Sequence, residues 1–216
     1  MRIEDARLML LFVPALCEPR DPLEVLEAAL PSIDIVQVRP KRPGFLGPCE
    51  ARATYDWGLL ILDLVAARSD RDVAVIVDDR VDVAIALRSR GCAGVHLGQE
   101  DGPPSVARYR LGSRAWIGWS THDPRQVGDA EDLPVDYLGF GPVHATTTKG
   151  YEQGLGSEAV WVASLATNRP LFPIGGIEAT NIGELARVGR AAVGAAILRA
   201  EDPARAAREL RSLLLG

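Results

Sequence analysis

Eight short apolar runs recur along this chain, and each is followed by a stretch with helical periodicity. The runs are LMLLFVPA (8–15), DIVQVRP (34–40), VAVIVDD (73–79), GVHLG (94–98), AWIGWST (115–121), DYLGFGPV (136–143), PLFPIGG (170–176) and AAVGAAIL (191–198). Between and after them lie PLEVLEAAL, TYDWGLLILDLVAAR, VDVAIALRS, PSVARYRL, PRQVGDAEDL, EAVWVASLA, NIGELARVG and PARAARELRSLLL. The runs are apolar throughout rather than alternating, as expected of parallel strands covered on both faces. Asp21-Pro22, Asp123-Pro124, Thr180-Asn181 and Asp202-Pro203 read as helix starts, a capping side chain followed by a residue suited to the first turn. Eight β units, each with an α unit, predict an α/β chain of the (β/α)8 TIM-barrel type, a single domain over residues 1–216. An open doubly wound sheet rarely repeats so regularly at this length, and no G-x-G-x-x-G follows the first strand.

Composition fits one globular domain with an ordinary soluble surface. Of the 216 residues, 47% are apolar, enough for a large core, and 25% are charged. A net charge of −5 and a pI near 5.3 argue against nucleic acid or an anionic membrane as partner, though local basic spots can still hold small anions. The apolar run near the N-terminus is too short to span a bilayer and lacks a basic leader, so no signal peptide is expected. Cys17, Cys49 and Cys92 form no CxxC pair and read as small apolar fillers in a reduced, cytoplasmic setting. PKRPGFLGPCEARA (40–53) is the most irregular segment, a Pro- and Gly-punctuated loop rather than a domain boundary.

A barrel places its active site at the C-terminal strand ends. Those ends carry Gln37, Arg39 and Lys41 after strand 2; Asp78 and Asp79 after strand 3; and Gln99, Glu100 and Asp101 after strand 4. Ser120, Thr121 and His122 follow at strand 5, then Thr146, Thr147, Thr148 and Lys149 beyond strand 6. Gly175-Gly176 closes strand 7, and Gly194, Ala195 and Ala196 close strand 8. Any one of these charges taken singly is an ordinary solvated loop residue. Together they put cations, carboxylates, hydroxyls and glycine-rich turns on one rim. Cations and backbone N–H groups bind phosphate oxygens, and Mg²⁺ is held by one or two carboxylates plus phosphates and water. The clustered negative charge is therefore expected to be offset by Mg²⁺ on Asp79 and Asp101, beside a diphosphate. His96, inside strand 4, reads as a packed strand residue. No His/Cys cluster with zinc spacing, nucleophile elbow or P-loop is present.

DDRVDVAIAL, GVHLGQED, IGWSTHD, DYLGFGPVHATTTKG and PIGGIEATNIGEL together resemble the successive motifs of thiamin phosphate synthases, from QVRPK to the last helix. The resemblance implies condensation of 4-amino-2-methyl-5-(diphosphooxymethyl)pyrimidine with a thiazole phosphate, a transferase reaction that releases pyrophosphate with Mg²⁺ as cofactor. It implies that Gln37, Arg39 and Lys41, with Asp78, hold the pyrimidine diphosphate and that Asp79 and Asp101 bind the metal. Ser120 and Lys149 would contact the leaving diphosphate. Thr146 to Thr148 would border the thiazole phosphate, with Gly176, Ala196 and Ile197 at its phosphate. Small phosphorylated substrates are the implied partners, without nucleic acid or membrane, and the sequence leaves a homo-oligomer open. The chain departs from the family pattern at Asp78, where Asn is usual, near Ile197, where a small hydroxyl residue is usual, and at Pro40, Ala145 and Val13-Pro14. Two other readings share the barrel: a thiazole tautomerase using His122 as acid and base, and a non-catalytic barrel that binds phosphorylated ligands. The charged rim favours the synthase.

Overall fold

The computed structural model describes residues 1–41, 48–67, 72–145 and 154–215. All eight expected strands are present: β1 (Leu8–Phe12), β2 (Ile35–Val38), β3 (Ala74–Asp78), β4 (Gly94–Leu97), β5 (Trp116–Thr121), β6 (Tyr137–Phe140), β7 (Leu171–Pro173) and β8 (Ala191–Val193). Each pairs in parallel with its sequence neighbour through β7, β1 pairs with β8, and a single parallel bridge between Ile174 and Ala192 joins the two outer strands. The result is the expected (β/α)8 barrel.

Strand periodicity separates two cores. Met9, Ile35, Ile76, Tyr137, Phe172 and Ala192 face inward and fill the barrel. Their neighbours Leu8, Leu10, Val36, Val38, Val75 and Val77 face outward and pack, with the helices, into a larger cluster. Each strand is therefore apolar at successive positions because both of its faces are buried.

The helices are α1 (Pro22–Ala29), α2 (Pro48–Ala67), α3 (Val81–Leu87), α4 (Pro104–Leu111), α5 (Pro124–Asp129), α6 (Ser157–Leu165), α7 (Ala195–Leu198) and α8 (Pro203–Leu215). Three of the four expected starts hold. Asp21 accepts from the Leu23 N–H at 2.7 Å, Asp123 from Gln126 at 2.9 Å and Asp202 from Arg205 at 2.9 Å, each just before a proline at the first helical position. The fourth does not. NIGELARVG forms only a 3₁₀ turn, Ile182–Leu185, because Asn181 spends its amide on the Gly176 carbonyl (2.9 Å) and Gly189 turns left-handed with φ 64°. The eighth run also differs from expectation: the strand stops at Val193, Gly194 breaks it, and AAIL continues as α7. Cys17 and Cys92 are buried fillers as expected, whereas Cys49 is exposed on α2, and all three thiols are free. Among the described residues no helix is long and apolar enough to cross a membrane.

The end of the barrel opposite the rim is tied by Asp34. Its Oδ2 accepts from the backbone N–H groups of Arg7 (2.8 Å) and Leu8 (3.0 Å) and from Arg211 of α8 (2.8 Å). Burial raises this carboxyl, but Arg211 and the two N–H groups outweigh it, and its pKa lies below the ordinary value. A carboxyl lowered in the folded state contributes stability above its unfolded pKa of about 3.9, and that contribution is lost as pH falls through the folded value. Asp34→Asn should therefore destabilise the protein by about 1–3 kcal/mol at pH 7. The difference in melting temperature from the parent should shrink as pH drops below about 4. A gap in thermal melts that does not change with pH would show that the charge is not what Asp34 contributes.

Candidate active site

A cavity of about 360 Å³ opens where the strands end. Its walls include Gln37, Arg39, His96, Ser120, His122 and Tyr137 on one side, and Gly175, Gly176 and the β8–α7 junction on the other. Tyr137 reaches up from the apolar interior layer, Gln37, His96 and Ser120 come from the last inward-facing positions of their strands above it, and Arg39 and His122 follow just past the strand ends. There the barrel no longer has room to cover them with other strands, so they face the cavity.

Gln37 is 3% exposed at the inner face of β2, and its Nε2 donates to Asp78 Oδ1 at 2.7 Å. The Arg39 guanidinium donates to Asp78 Oδ2, and the Lys41 ammonium lies 3.6 Å from that same oxygen while donating to Asp79. Asp78 is thus a buried carboxylate with a donor on each oxygen. Burial pushes its pKa up, Arg39 pulls it down, and the neighbouring Asp79 adds to the rise. Such a buried pair is not strong evidence of stabilisation, because desolvating both charges offsets their attraction. It does fix Arg39 at the cavity wall.

Asp79 follows in a left-handed conformation, φ 59°, with its N–H donating to the His96 carbonyl at 2.8 Å. Non-glycine residues rarely adopt this region, and such strain gathers at functional sites. Burial raises Asp79, yet Lys41, a hydrogen bond shared with Asp101, and Arg39 together bring its pKa below the ordinary range. Asp101 is pushed up to about 6 by burial and by the nearby Asp79 charge, against the Gly98 N–H that its Oδ2 accepts at 2.6 Å. The two carboxyls face each other, and a cation between them would offset their like charge. Among the described residues no group of three or more His, Cys, Asp or Glu side chains is arranged to hold a metal ion by itself. The pair therefore suits a hard cation that completes its shell with ligand oxygens and water, as Mg²⁺ does, rather than a closed protein cage.

Ser120, on β5, meets His96 Nε2 at 2.9 Å, and His122 Nδ1 lies 2.6 Å from the Gly141 carbonyl. Gly175 and Gly176 have φ values of 100° and 62°, and a Cβ on Gly176 would sit 2.6 Å from the Ala145 carbonyl oxygen, so only glycine fits this turn. Ala196 lines the cavity. Ile197 does not: its side chain is fully buried in the helix-facing core, which leaves only its backbone to serve a ligand. Thr146, Thr147, Thr148 and Lys149 lie outside the described residues.

Sequence reasoning missed three cavity-lining groups. His96 is packed, as expected, but it also lines the cavity and binds Ser120; Tyr137, at the start of β6, holds its other nitrogen at 3.0 Å. The signal was non-local, since Gly118 and Gly139 stand on the adjoining strands and leave the space these rings occupy. Arg199, after α7, also reaches the cavity wall.

A family model described as thiamine monophosphate synthase matches residues 8–200. A thiamine-phosphate synthase of Mycobacterium sp. (strain JLS) is 40% identical over 206 residues, covering 92% of this chain and 88% of that one. One of Synechococcus sp. (strain WH7803) is 39% identical across 99% of the chain. The chain spans 58% of that relative's length and 38% of a second, from Synechococcus sp. (strain CC9605). Among solved structures, thiamine phosphate pyrophosphorylase from Pyrococcus furiosus superposes with a TM-score of 0.80 at 30% identity, covering 98% of both chains. A 3-hexulose-6-phosphate synthase, TM-score 0.67 at 18% identity, shares the fold.

The ion pair at Asp78 should restrain Arg39 from an incoming anion. Asp78→Asn keeps an acceptor for Gln37 or Arg39 but removes the charge that occupies Arg39. Inorganic pyrophosphate, titrated calorimetrically without metal, should bind the variant about three- to tenfold more tightly, as expected for removing one screened like charge. Equal or weaker binding would mean that Asp78 does not restrain Arg39.

Proposed function

The chain belongs to the thiamine monophosphate synthase family, and from that premise we propose that it joins an aminopyrimidine methyl diphosphate to a thiazole phosphate, giving thiamin phosphate and pyrophosphate. The single observation that carries this reading is charge placement at one rim. Two cations, Arg39 and Lys41, stand directly against the carboxylates Asp78 and Asp79, with Asp101 alongside. A site meant only for a cation has no use for Arg39 and Lys41, and one meant only for an anion has none for three carboxylates. A metal–diphosphate pair uses both sets.

In the reaction, the thiazole ring nitrogen forms a bond to the exocyclic methylene carbon as the bond from that carbon to the diphosphate oxygen breaks. Negative charge grows on the departing oxygen, so preorganised positive charge there lowers the barrier. Gln37 and Asp78 offer an amide and a carboxylate suited to the polar edge of the aminopyrimidine. Arg39 holds the diphosphate, and Lys41 turns to it once Asp79 is engaged elsewhere. Asp79 and Asp101 would hold Mg²⁺, which when bound neutralises diphosphate charge and orients the leaving group. Ser120 supplies a hydroxyl to the leaving group, and Lys149 is assigned there by the same reading. The Gly175-Gly176 turn and the β8–α7 junction supply backbone to the thiazole phosphate. No general base is required.

The direct test mixes purified protein, Mg²⁺ and both phosphorylated heterocycles and follows thiamin phosphate and pyrophosphate; absence of both products defeats the proposal. Asp79→Asn and Asp101→Asn should each lower turnover at least about tenfold and raise the Mg²⁺ concentration for half-maximal rate, because a hard cation prefers a charged oxygen to an amide. Unchanged metal dependence in both variants would remove the metal assignment. His122 has Nδ1 tied to the Gly141 carbonyl and lines the cavity, and it is the acid–base group that the tautomerase reading would use. His122→Ala should nonetheless retain much of the synthase rate, whereas a tautomerase would lose about 10²–10⁴-fold. Tautomerisation of a thiazole carboxylate phosphate that vanishes in the variant would favour that other reading.

A further inference from the structure

Three strands combine to seat one hydrogen-bonded chain inside the barrel. Register pairs His96 with Gly118, Gly118 with Tyr137, and Ser120 with Gly139. A Cβ on Gly118 would lie 2.3 Å from both His96 Nδ1 and the Tyr137 hydroxyl, and one on Gly139 would lie 3.1 Å from His96 Cε1. The two glycines are thus the space into which the rings fit. Tyr137 is completely buried, and Phe172 packs edge-on against it with ring centroids 5.6 Å apart. Burial raises the Tyr137 phenol well above its ordinary value, so it remains a hydroxyl with one hydrogen to place.

That hydrogen determines the rest. Among the described residues the Tyr137 hydroxyl has one hydrogen-bond partner, His96 Nδ1, at 3.0 Å. A buried O–H without an acceptor is costly, so Tyr137 donates and Nδ1 presents its lone pair. The neutral ring then carries its proton on Nε2, which donates to Ser120 Oγ at 2.9 Å. With that bond occupying a lone pair on Oγ, the serine hydrogen is directed away from the histidine, and Ser120 lines the cavity. A run of donors aligned in one direction polarises each successive member and strengthens the last.

We propose that His96 is a positioning residue of this site. Its Nε2 proton, set by Tyr137, fixes the Ser120 hydroxyl as a donor toward the leaving diphosphate. The proposal rests on the synthase reading for the identity of that ligand, but the proton arrangement belongs to the ligand-free protein and can be tested separately.

The chain has three histidines, so long-range ¹H–¹⁵N correlation on the labelled, ligand-free protein resolves each ring. His96 should show a protonated Nε2 and a bare Nδ1. His122, whose Nδ1 faces the Gly141 carbonyl, should show the opposite pattern and serves as the internal contrast. Tyr137→Phe should release the preference at His96. A protonated Nδ1 at His96 in the parent protein overturns the proposal, and this measurement needs no variant that could misfold. In kinetics, His96→Leu should lower kcat about tenfold or more with KM changed less than about threefold, and His96→Gln, which keeps an N–H donor, should recover part of the loss. Because His96 acts through Ser120, adding His96→Leu to Ser120→Ala should cost little more than Ser120→Ala does. Fully additive losses would overturn the assignment. If the parent protein makes no thiamin phosphate, the functional reading fails while the tautomer measurement still decides the proton arrangement.

Discussion

Curling eight parallel strands into a barrel, closed between β7 and β8 by one bridge, leaves almost no sheet edge and buries both faces of the strands. Nearly everything else follows from that closure. Inward positions such as Met9, Ile35, Ile76 and Phe172 have no room for charge, because a polar group among them would lack partners. Only the last inward positions, where the strands run out, can carry Gln37, Asp78, His96 and Ser120. Even there each side chain is satisfied by another: Gln37 and Arg39 by Asp78, Ser120 by His96, and His96 by Tyr137. The site is built from groups that already satisfy one another before any ligand enters.

The rim charges are balanced in the same way. Asp78 and Asp79 stand against Arg39 and Lys41, and Asp101, which has no such cation against it among the described residues, is raised to about 6 by burial and by the nearby Asp79 charge. A diphosphate with its metal brings both signs together, so it can exchange partners with this network without leaving a buried charge unpaired. That exchange is less disruptive than removing one partner, which in a buried pair leaves the other exposed to the full desolvation penalty.

Much of the fold was legible because strand signals here are strong and local. All eight runs were apolar along their length, and Asp21, Asp123 and Asp202 cap the helices their Asp-Pro pairs announced. The failures share a different cause. AAVGAAIL is apolar in either conformation, so the change from β8 to α7 at Gly194 depends on backbone geometry rather than on pattern. At NIGELARVG, Asn181 braces the Gly176 turn instead of capping a helix, a tertiary contact that no local periodicity reveals. The rim residues were readable from strand ends, but which of them touch was not. His96 in particular acquires a role only once β4, β5 and β6 are placed in register.

The empty faces of Gly118 and Gly139 carry a consequence for how this sequence can change. The rings of His96 and Tyr137 occupy volume that two neighbouring residues give up, so positions 96, 118, 137 and 139 behave as one unit spread over three strands. A methyl group at 118 demands that a ring withdraw, and loss of either ring leaves a void that glycine cannot fill. Replacement at any one of them is therefore penalised until its counterpart changes too, and the route through sequence space at this point runs by paired steps, not single ones.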